Sequence, residues 1–209
     1  ADDPQVRQKF ATAWNVEVPT KPGMTYPAML ESVSEGGLKS LYMIGSDIAH
    51  TDPNNLQVIE ALSNLELLIV QDIFFCESAK LAHIVLPAAS FLESNGTYTN
   101  GERRIQRIRK AIDPPGQAKQ DWIIVKELAE AMGHPIAFSE DCSDVWDELA
   151  ALTPNFVGIS YDRLEDIEAI QWPAPTTEHP GTPVMHQDQF SRGLGNFVAP
   201  EFSEPNETA

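Results

Sequence analysis

Three short apolar runs, each halting at small or polar residues, limit what this chain can fold into. "LKSLYMIGSD" stops at Gly45-Ser46-Asp47, "ELLIVQD" at Gln71-Asp72, and "IVLP" at Pro87-Ala88-Ala89-Ser90. Leu67 to Val70 is apolar at every position, as a strand covered on both faces requires. Between the first two runs, "TDPNNLQVIEALSNL" predicts a helix with Asp52 as N-cap, Pro53 at its first position, and Leu56, Ile59 and Leu62 on one face. "CESAKLAH" is a shorter helix candidate before the third run. Strand, helix, strand, helix, strand is the pattern of an α/β fold: part of a doubly wound parallel sheet with flanking helices, followed here by an irregular Pro-rich arm.

Four regions are expected along the chain. Residues 1–37 form an N-terminal arm, with a short amphipathic start (Val6, Phe10, Trp14), the three prolines of "EVPTKPGMTYP", and a helical turn from Leu30 to Glu35 ended by Gly36-Gly37. Residues 38–135 form the α/β region. After Pro87 it turns irregular, with Arg103 to Lys110 read as extended although Ile105, Ile108 and Ile112 also suit one helix face. "DWIIVKELAEAMG" is a firm helix, with Asp121 at or near the cap, Ile124, Leu128 and Met132 aligned, and Gly133 as its stop. Residues 136–170 are a helical extension: "SDVWDELAAL", capped by Ser143 with Val145, Trp146 and Leu149 inward, then "YDRLEDIEAI". Residues 171–209, punctuated by six prolines, predict an arm lying on the core and a disordered acidic tail.

Charge excludes whole classes of partner. Thirty-one acidic residues against 14 basic ones give a net charge of -17, so nucleic acid and anionic membrane surfaces are not expected partners. From Asp141 onward 13 acidic residues face only Arg163 and Arg192, most simply a solvated acidic surface. Cys76 and Cys142 lie far apart without C-x-x-C, so they read as thiols in a reducing, cytoplasmic compartment. The five histidines show no metal-binding spacing, and no metal ligand is assigned. No apolar run approaches the ~20 residues of a membrane helix, so no membrane insertion is expected. With no initiator Met and no charged-then-apolar start, the chain is expected to be a piece of a longer polypeptide.

In an open parallel sheet, ligands bind outside the carboxyl ends of the strands. There is no G-x-G-x-x-G after the first strand and no P-loop, so phosphates are not the main target. A strand-end aspartate suits something else: its carboxylate only accepts, and its fork matches ribose hydroxyls or the N1–H and N2–H₂ edge of guanine. Asp72 is the first candidate and Asp121 the second. Each also has a plain structural reading, Asp72 as the cap of the following turn and Asp121 as the cap of its helix. Arg103, Arg104, Arg107, Arg109 and Lys110 hold five of the 14 basic residues; Arg104 can meet a phosphate or pterin edge, or the cluster can meet the acidic half of the chain or a partner domain. Gly96 can either admit a flat ligand close to the backbone or simply serve a turn. No nucleophile elbow, cysteine–histidine motif or compelling carboxylate pair is present, so no catalytic residue is assigned. The residues point to a binding half, not a reacting half.

"LYMIGSDIAHTD", the run from "LELLIVQD" through "VLPAASFLESNGTYTNGERRIQ" to "PPGQAKQDW", and "IQWPAPTTEHPGTPVMH" resemble the later part of the catalytic subunit of molybdopterin-dependent formate dehydrogenases, in the dimethyl sulfoxide reductase superfamily. The likeness runs from about Val6 to Phe202. It implies a doubly wound domain that grips one molybdopterin guanine dinucleotide by its guanosine end, with Ser46, Gln71, Asp72, Ser94 and Asp121 at the positions that meet the nucleotide. It further implies a molybdenum or tungsten bis(molybdopterin guanine dinucleotide) cofactor, and a 4Fe-4S cluster bound by sequence absent from this chain. Formate oxidation to carbon dioxide would then belong to the parent enzyme, the isolated fragment being inactive. The partners implied are the remaining domains of the parent catalytic subunit and electron-transfer subunits. Nitrate reductase or another superfamily oxidoreductase, a non-catalytic scaffold like the large iron–sulfur subunit of respiratory complex I, and a free-standing guanine-nucleotide module are the alternatives. Ala174 stands where related sequences often carry cysteine, which argues against a thiol role there.

Overall fold

A computed structural model describes residues 3–136, 141–166, 169–190 and 193–202. Strands β1 (Ser40–Ile44), β2 (Leu67–Asp72) and β3 (Ile84–Pro87) form a parallel sheet in that order, as the three apolar runs predict. Met43 pairs with Val70, Ile44 with Gln71, and Asp72 with Pro87. Helix α1 (Pro4–Trp14) lies elsewhere, Trp14 donating to Glu148 at 2.8 Å, while around this sheet run helices α2 (Tyr26–Ser34), α3 (Ile48–Thr51), α4 (Asn55–Ser63) and α5 (Glu77–Leu81). Val33, Met43, Val58, Ala61, Leu62, Leu68, Val70 and Ala79 pack into one core, so α2, α4 and α5 cover the same face of the sheet.

Two helix starts beside the parallel sheet differ from expectation. Helix α4 begins at Asn55, with Asn54 as N-cap, because the preceding residues coil into α3. Asp52 is therefore no cap: its carboxylate accepts the Asn54 N–H (3.1 Å) and the Tyr26 hydroxyl (2.7 Å). The later start turns Val58, Ala61, Leu62 and Leu65 inward, at helical spacing, and leaves Leu56 79% exposed. Helix α2 begins at Tyr26 instead of near Leu30, since Pro27 in a first turn lacks only an N–H that would be unpaired anyway. It ends as expected: Gly36, at φ +76°, donates to the Val33 carbonyl.

The larger departure lies after Pro87. In place of irregular chain, β4 (Gly96–Thr99) and β5 (Arg104–Ile108) make an antiparallel hairpin, and β6 (Ile170–Gln171) adds to β5. The extended reading of Arg103 to Lys110 holds for β5: Ile105 is fully buried while Ile112 is 53% exposed, which no single helix face would produce. Helices α6 (Asp121–Ala131), α7 (Cys142–Leu152) and α8 (Tyr161–Asp166) follow. Ile105, Trp146, Ala150, Ile159, Leu164, Ile170 and Ala174 form a second core between this sheet and the helices. Helix α7 is capped by Asp141, which accepts the Ser143 N–H at 2.9 Å, so Ser143 lies inside the helix instead of capping it. Of its three expected inward residues, Trp146 is buried and Leu149 is exposed.

The Pro-rich arm starts in a strand, because Gln171 belongs to β6. Ala174 is fully buried, its N–H donating to Asn155 and its carbonyl accepting from Gly158. Of the expected disordered tail, residues 199–209, the first four are exposed and in no helix or strand, and residues 203–209 lie outside the described residues. No helix among the described residues is long and apolar enough to cross a membrane.

Candidate functional site

A cavity of about 460 Å³ lies between the β4–β5 hairpin, the start of α6, and α7. Asp121, Ser94, Asn95 and Gln120 supply its polar wall; Trp122, Trp146, Phe156 and Tyr161 supply flat aromatic surface. Among the described residues no lysine or arginine lines it.

Asp121 opens α6 as its first residue and Gln120 is the N-cap, so the Asp121 side chain is not spent on capping. One oxygen, Oδ1, accepts a hydrogen bond of 2.5 Å from Gln71 Nε2, fifty residues earlier at the end of β2. The Gln71 carbonyl accepts from the Tyr42 hydroxyl on β1. Burial, and then the negative charge of Asp121, pushes the Tyr42 hydroxyl above its ordinary pKa. Gln71 itself has no exposed surface.

Ser94 lines the same cavity and donates to the Ser90 carbonyl at 2.9 Å. Its loop is pinned at both sides. Ser90 and Glu93 cap a short 3-10 turn, and Gln120 Oε1 accepts from the Asn95 N–H and from Trp122 Nε1, each at 3.3 Å.

Three expected site residues do not line this cavity: Gln71, fully buried and reaching only Asp121 on its wall, and Asp72 and Ser46. Asp72 accepts the Phe74 N–H at 2.9 Å, the turn-capping role that its position also permits. Ser46 is exposed and borders a separate apolar cavity of about 160 Å³ between α2 and β1. Its neighbour Asp47 is engaged by the start of α5, accepting the Ser78 N–H and hydroxyl at 2.8 Å each and the Glu77 N–H at 3.3 Å. Burial raises the Asp47 pKa, but these bonds outweigh it and hold the carboxyl below its usual range.

The basic cluster resolves into internal contacts. Arg107 stacks 3.8 Å over the Tyr161 ring, donates to the Gly96 carbonyl at 2.9 Å, and pairs with Glu165 at 3.2 Å. Arg109 also pairs with Glu165, whose carboxyl it, with Arg107, holds below the usual range. These two arginines meet the acidic half of the chain, one of the readings left open by the sequence. Arg104 pairs locally with Glu102, and Lys110 with Asp113. Gly96 sits in extended backbone and serves no turn; an added Cβ would meet only Ile108, at 4.0 Å. Among the described residues no cluster of three or more histidine, cysteine or acidic side chains is placed to hold a metal ion.

Tyr42, Gln120 and the aromatic wall were not singled out as site residues in the sequence. For Tyr42 a signal existed: pairing Ile44 with Gln71 puts Tyr42 on the face of the sheet that Gln71 occupies. The aromatic residues of α7 and beyond carried no local sign that they would meet the start of α6.

Comparison with known proteins identifies this architecture. Residues 5–131 match the family model described as Molybdopterin oxidoreductase. The chain is 43% identical over 209 residues to F420-dependent formate dehydrogenase 1 subunit alpha of Methanococcus maripaludis, across 99% of this chain and 31% of that one. It is 35% identical over 208 residues to formate dehydrogenase H of Escherichia coli, across 97% and 29%. The chain thus spans about three-tenths of the length of these relatives. Among solved structures, acetylene hydratase from Pelobacter acetylenicus superposes with a TM-score of 0.59 over 80% of this chain and 24% of that one, at 19% identity, a likeness of fold. A family match over more than half of the chain, with relatives of the same kind along nearly all of it, shows that this chain belongs to the molybdopterin oxidoreductase family.

Proposed function

We propose that this chain is the nucleotide-gripping portion of the catalytic subunit of a formate dehydrogenase-like enzyme, with residues 38–135 carrying most of the grip. The observation that carries the reading is the Gln71–Asp121 hydrogen bond, by which a buried strand-end amide supports the helix-start carboxylate that lines the cavity and leaves Asp121 Oδ2 without a partner in that pair. The residues present fit a guanosine: an acceptor-only carboxylate for its donors, aromatic surface for its base, and no basic side chain among the described residues of the lining, which suits the nucleoside end better than the phosphates. The cavity volume falls within the roughly 300–1,000 Å³ of small-molecule sites. This geometry supports Asp121 and Ser94 as ligand contacts and Gln71 as support for Asp121. It lends no such support to Ser46 or Asp72.

The cofactor proposed is a molybdenum or tungsten bis(molybdopterin guanine dinucleotide), with a 4Fe-4S cluster held by sequence outside this chain. When bound, that group supplies the redox chemistry at which formate becomes carbon dioxide. The chain's own residues bind and orient: Asp121 accepts from the base edge or the ribose, Trp122 flanks it, and Ser94 and Asn95 close the loop beside it. The proposed partners are the other domains of the parent subunit and electron-transfer subunits, in the cytoplasm.

Titration of guanosine diphosphate into the parent subunit prepared without cofactor tests the reading. Asp121→Ala should weaken binding about tenfold, the cost of one lost ligand hydrogen bond. Equal affinity in wild type and variant would remove Asp121, and with it the site.

A further inference from the structure

Gln71 is fully buried, so its amide can offer nothing to a ligand directly. Both of its ends are engaged inside the protein, the carbonyl by Tyr42 and the NH₂ by Asp121. The direction of this chain of bonds is set at the Asp121 end. A carboxylate only accepts, so the Gln71 NH₂ must face it; the Gln71 carbonyl must then face Tyr42, and the Tyr42 hydroxyl must donate. Reversing any link leaves two acceptors or two donors facing each other. Inside a protein, such a chain is stiffer than its single bonds.

Stiffness matters most where a ligand's donors are themselves fixed in a plane. Ribose hydroxyls rotate and both donate and accept, so they tolerate a wandering partner. The N1–H and N2–H₂ of guanine do not rotate and only donate. Resting on the nucleotide reading above, we propose that Tyr42 is a positioning residue: through Gln71 it fixes Asp121 in one rotamer, with an oxygen available to the cavity, and so makes the site select guanine over bases that present fewer donors.

Guanosine diphosphate and inosine diphosphate differ only in the 2-amino donor of guanine, which makes their affinity ratio a direct readout. Calorimetric titration of both into the parent subunit prepared without cofactor should show wild type favouring the guanosine form by about tenfold. Tyr42→Phe removes one hydroxyl, and Gln71→Met removes the amide at similar volume. In both, the ratio should fall toward unity, through weaker guanosine diphosphate binding with inosine diphosphate little changed. Far-UV circular dichroism checks folding, and Tyr42→Phe keeps the test decisive even where Gln71→Met does not fold. Equal weakening of both nucleotides would mean that Tyr42 serves only the structure, and would overturn the proposal. A wild-type preference persisting in both variants would remove this relay and leave the nucleotide site standing. Failure of wild type to bind either nucleotide would bring down the site and the relay together.

Discussion

Arg103 lies with its guanidinium 5.8 Å from the centre of the Trp172 ring and donates to the Trp172 carbonyl, tying the β4–β5 turn to the Pro-rich arm. The same fork donates to the Thr182 carbonyl at 3.0 Å and to the Pro183 carbonyl at 3.1 Å. Its backbone is left-handed, at φ +68°, a conformation that costs a non-glycine residue about 1–2 kcal/mol. The fold bears that cost because three carbonyls around one planar cation return more. Arg103→Ala should loosen residues 172–183 by about 1.5–3 kcal/mol, the range for hydrogen bonds to a charged group. Lysine should not restore the arm, since its compact ammonium cannot reproduce the fork. Hydrogen exchange is the measurement: the amides of Ala174 and Thr182 should lose protection while Val70 keeps it. Unchanged protection at Ala174 and Thr182 would show the arm to be held by other means.

Gly158 gives the arm its second anchor. Its N–H donates to the Ala174 carbonyl at 2.7 Å, so close that an added Cβ would sit 1.9 Å from the Thr176 carbonyl oxygen. Backbone cannot yield there without displacing the arm. Gly158→Ala should cost about 1–3 kcal/mol or more, as overpacking of a filled site does. Gly101, whose Cβ would meet nothing within 4 Å, provides the comparison. Thermal melting should separate the two alanine variants by several degrees, and equal midpoints would refute the close packing of Gly158 on the arm.

The parallel sheet was legible because its strands are contiguous apolar runs whose pattern needs no partner to be recognised. The start of α4 was not, because Asp52 and Pro53 make a good cap and first turn locally, while α3 and the Tyr26–Asp52 bond, contributed by distant chain, decide otherwise. The extended course of β5 was legible, but its pairing with β4 escaped for a similar reason: "GTYT" is too short and too polar to announce a strand until Ile105 is seen buried against Trp146 and Ile170. In the candidate site, Asp121 could be singled out by type and position. That Gln71 would be its partner, and that Asp72 would turn back to its own loop, depends on which face of β2 each side chain takes, and alternation along a strand gives opposite answers for neighbours.

Gly96 separates a stability effect from a binding effect. Its Cβ would meet Ile108 at an ordinary 4.0 Å, and its backbone is extended, so alanine fits the protein. The added methyl would instead enter the cavity that Gly96 lines with Ser94 and Asp121. Gly96→Ala should therefore leave the melting temperature unchanged or slightly raised, since alanine restricts the unfolded chain. Guanosine diphosphate affinity of the cofactor-free parent subunit should fall all the same. Retained affinity would place the nucleotide away from this wall.

Asp47 makes the contact between the end of β1 and the start of α5 sensitive to acid. Its carboxylate accepts two bonds from Ser78 and one from Glu77, while Ser78 Oγ, fully buried, accepts the Ala49 N–H at 3.0 Å, so a single charge organises the start of α5 and the start of α3. These bonds hold the folded-state pKa below the unfolded value of about 3.9. The stability that Asp47 contributes is then fully present above that unfolded value and is lost as pH falls through the lower, folded one. Asparagine keeps one acceptor oxygen but no charge. Asp47→Asn should therefore melt below wild type at neutral pH, and the gap should close on acidification below about pH 4, as wild type loses what the variant never had. Melting curves of both chains across that window decide the matter: a gap that persists unchanged into acid would mean that the shape of Asp47, and not its charge, holds the two helices.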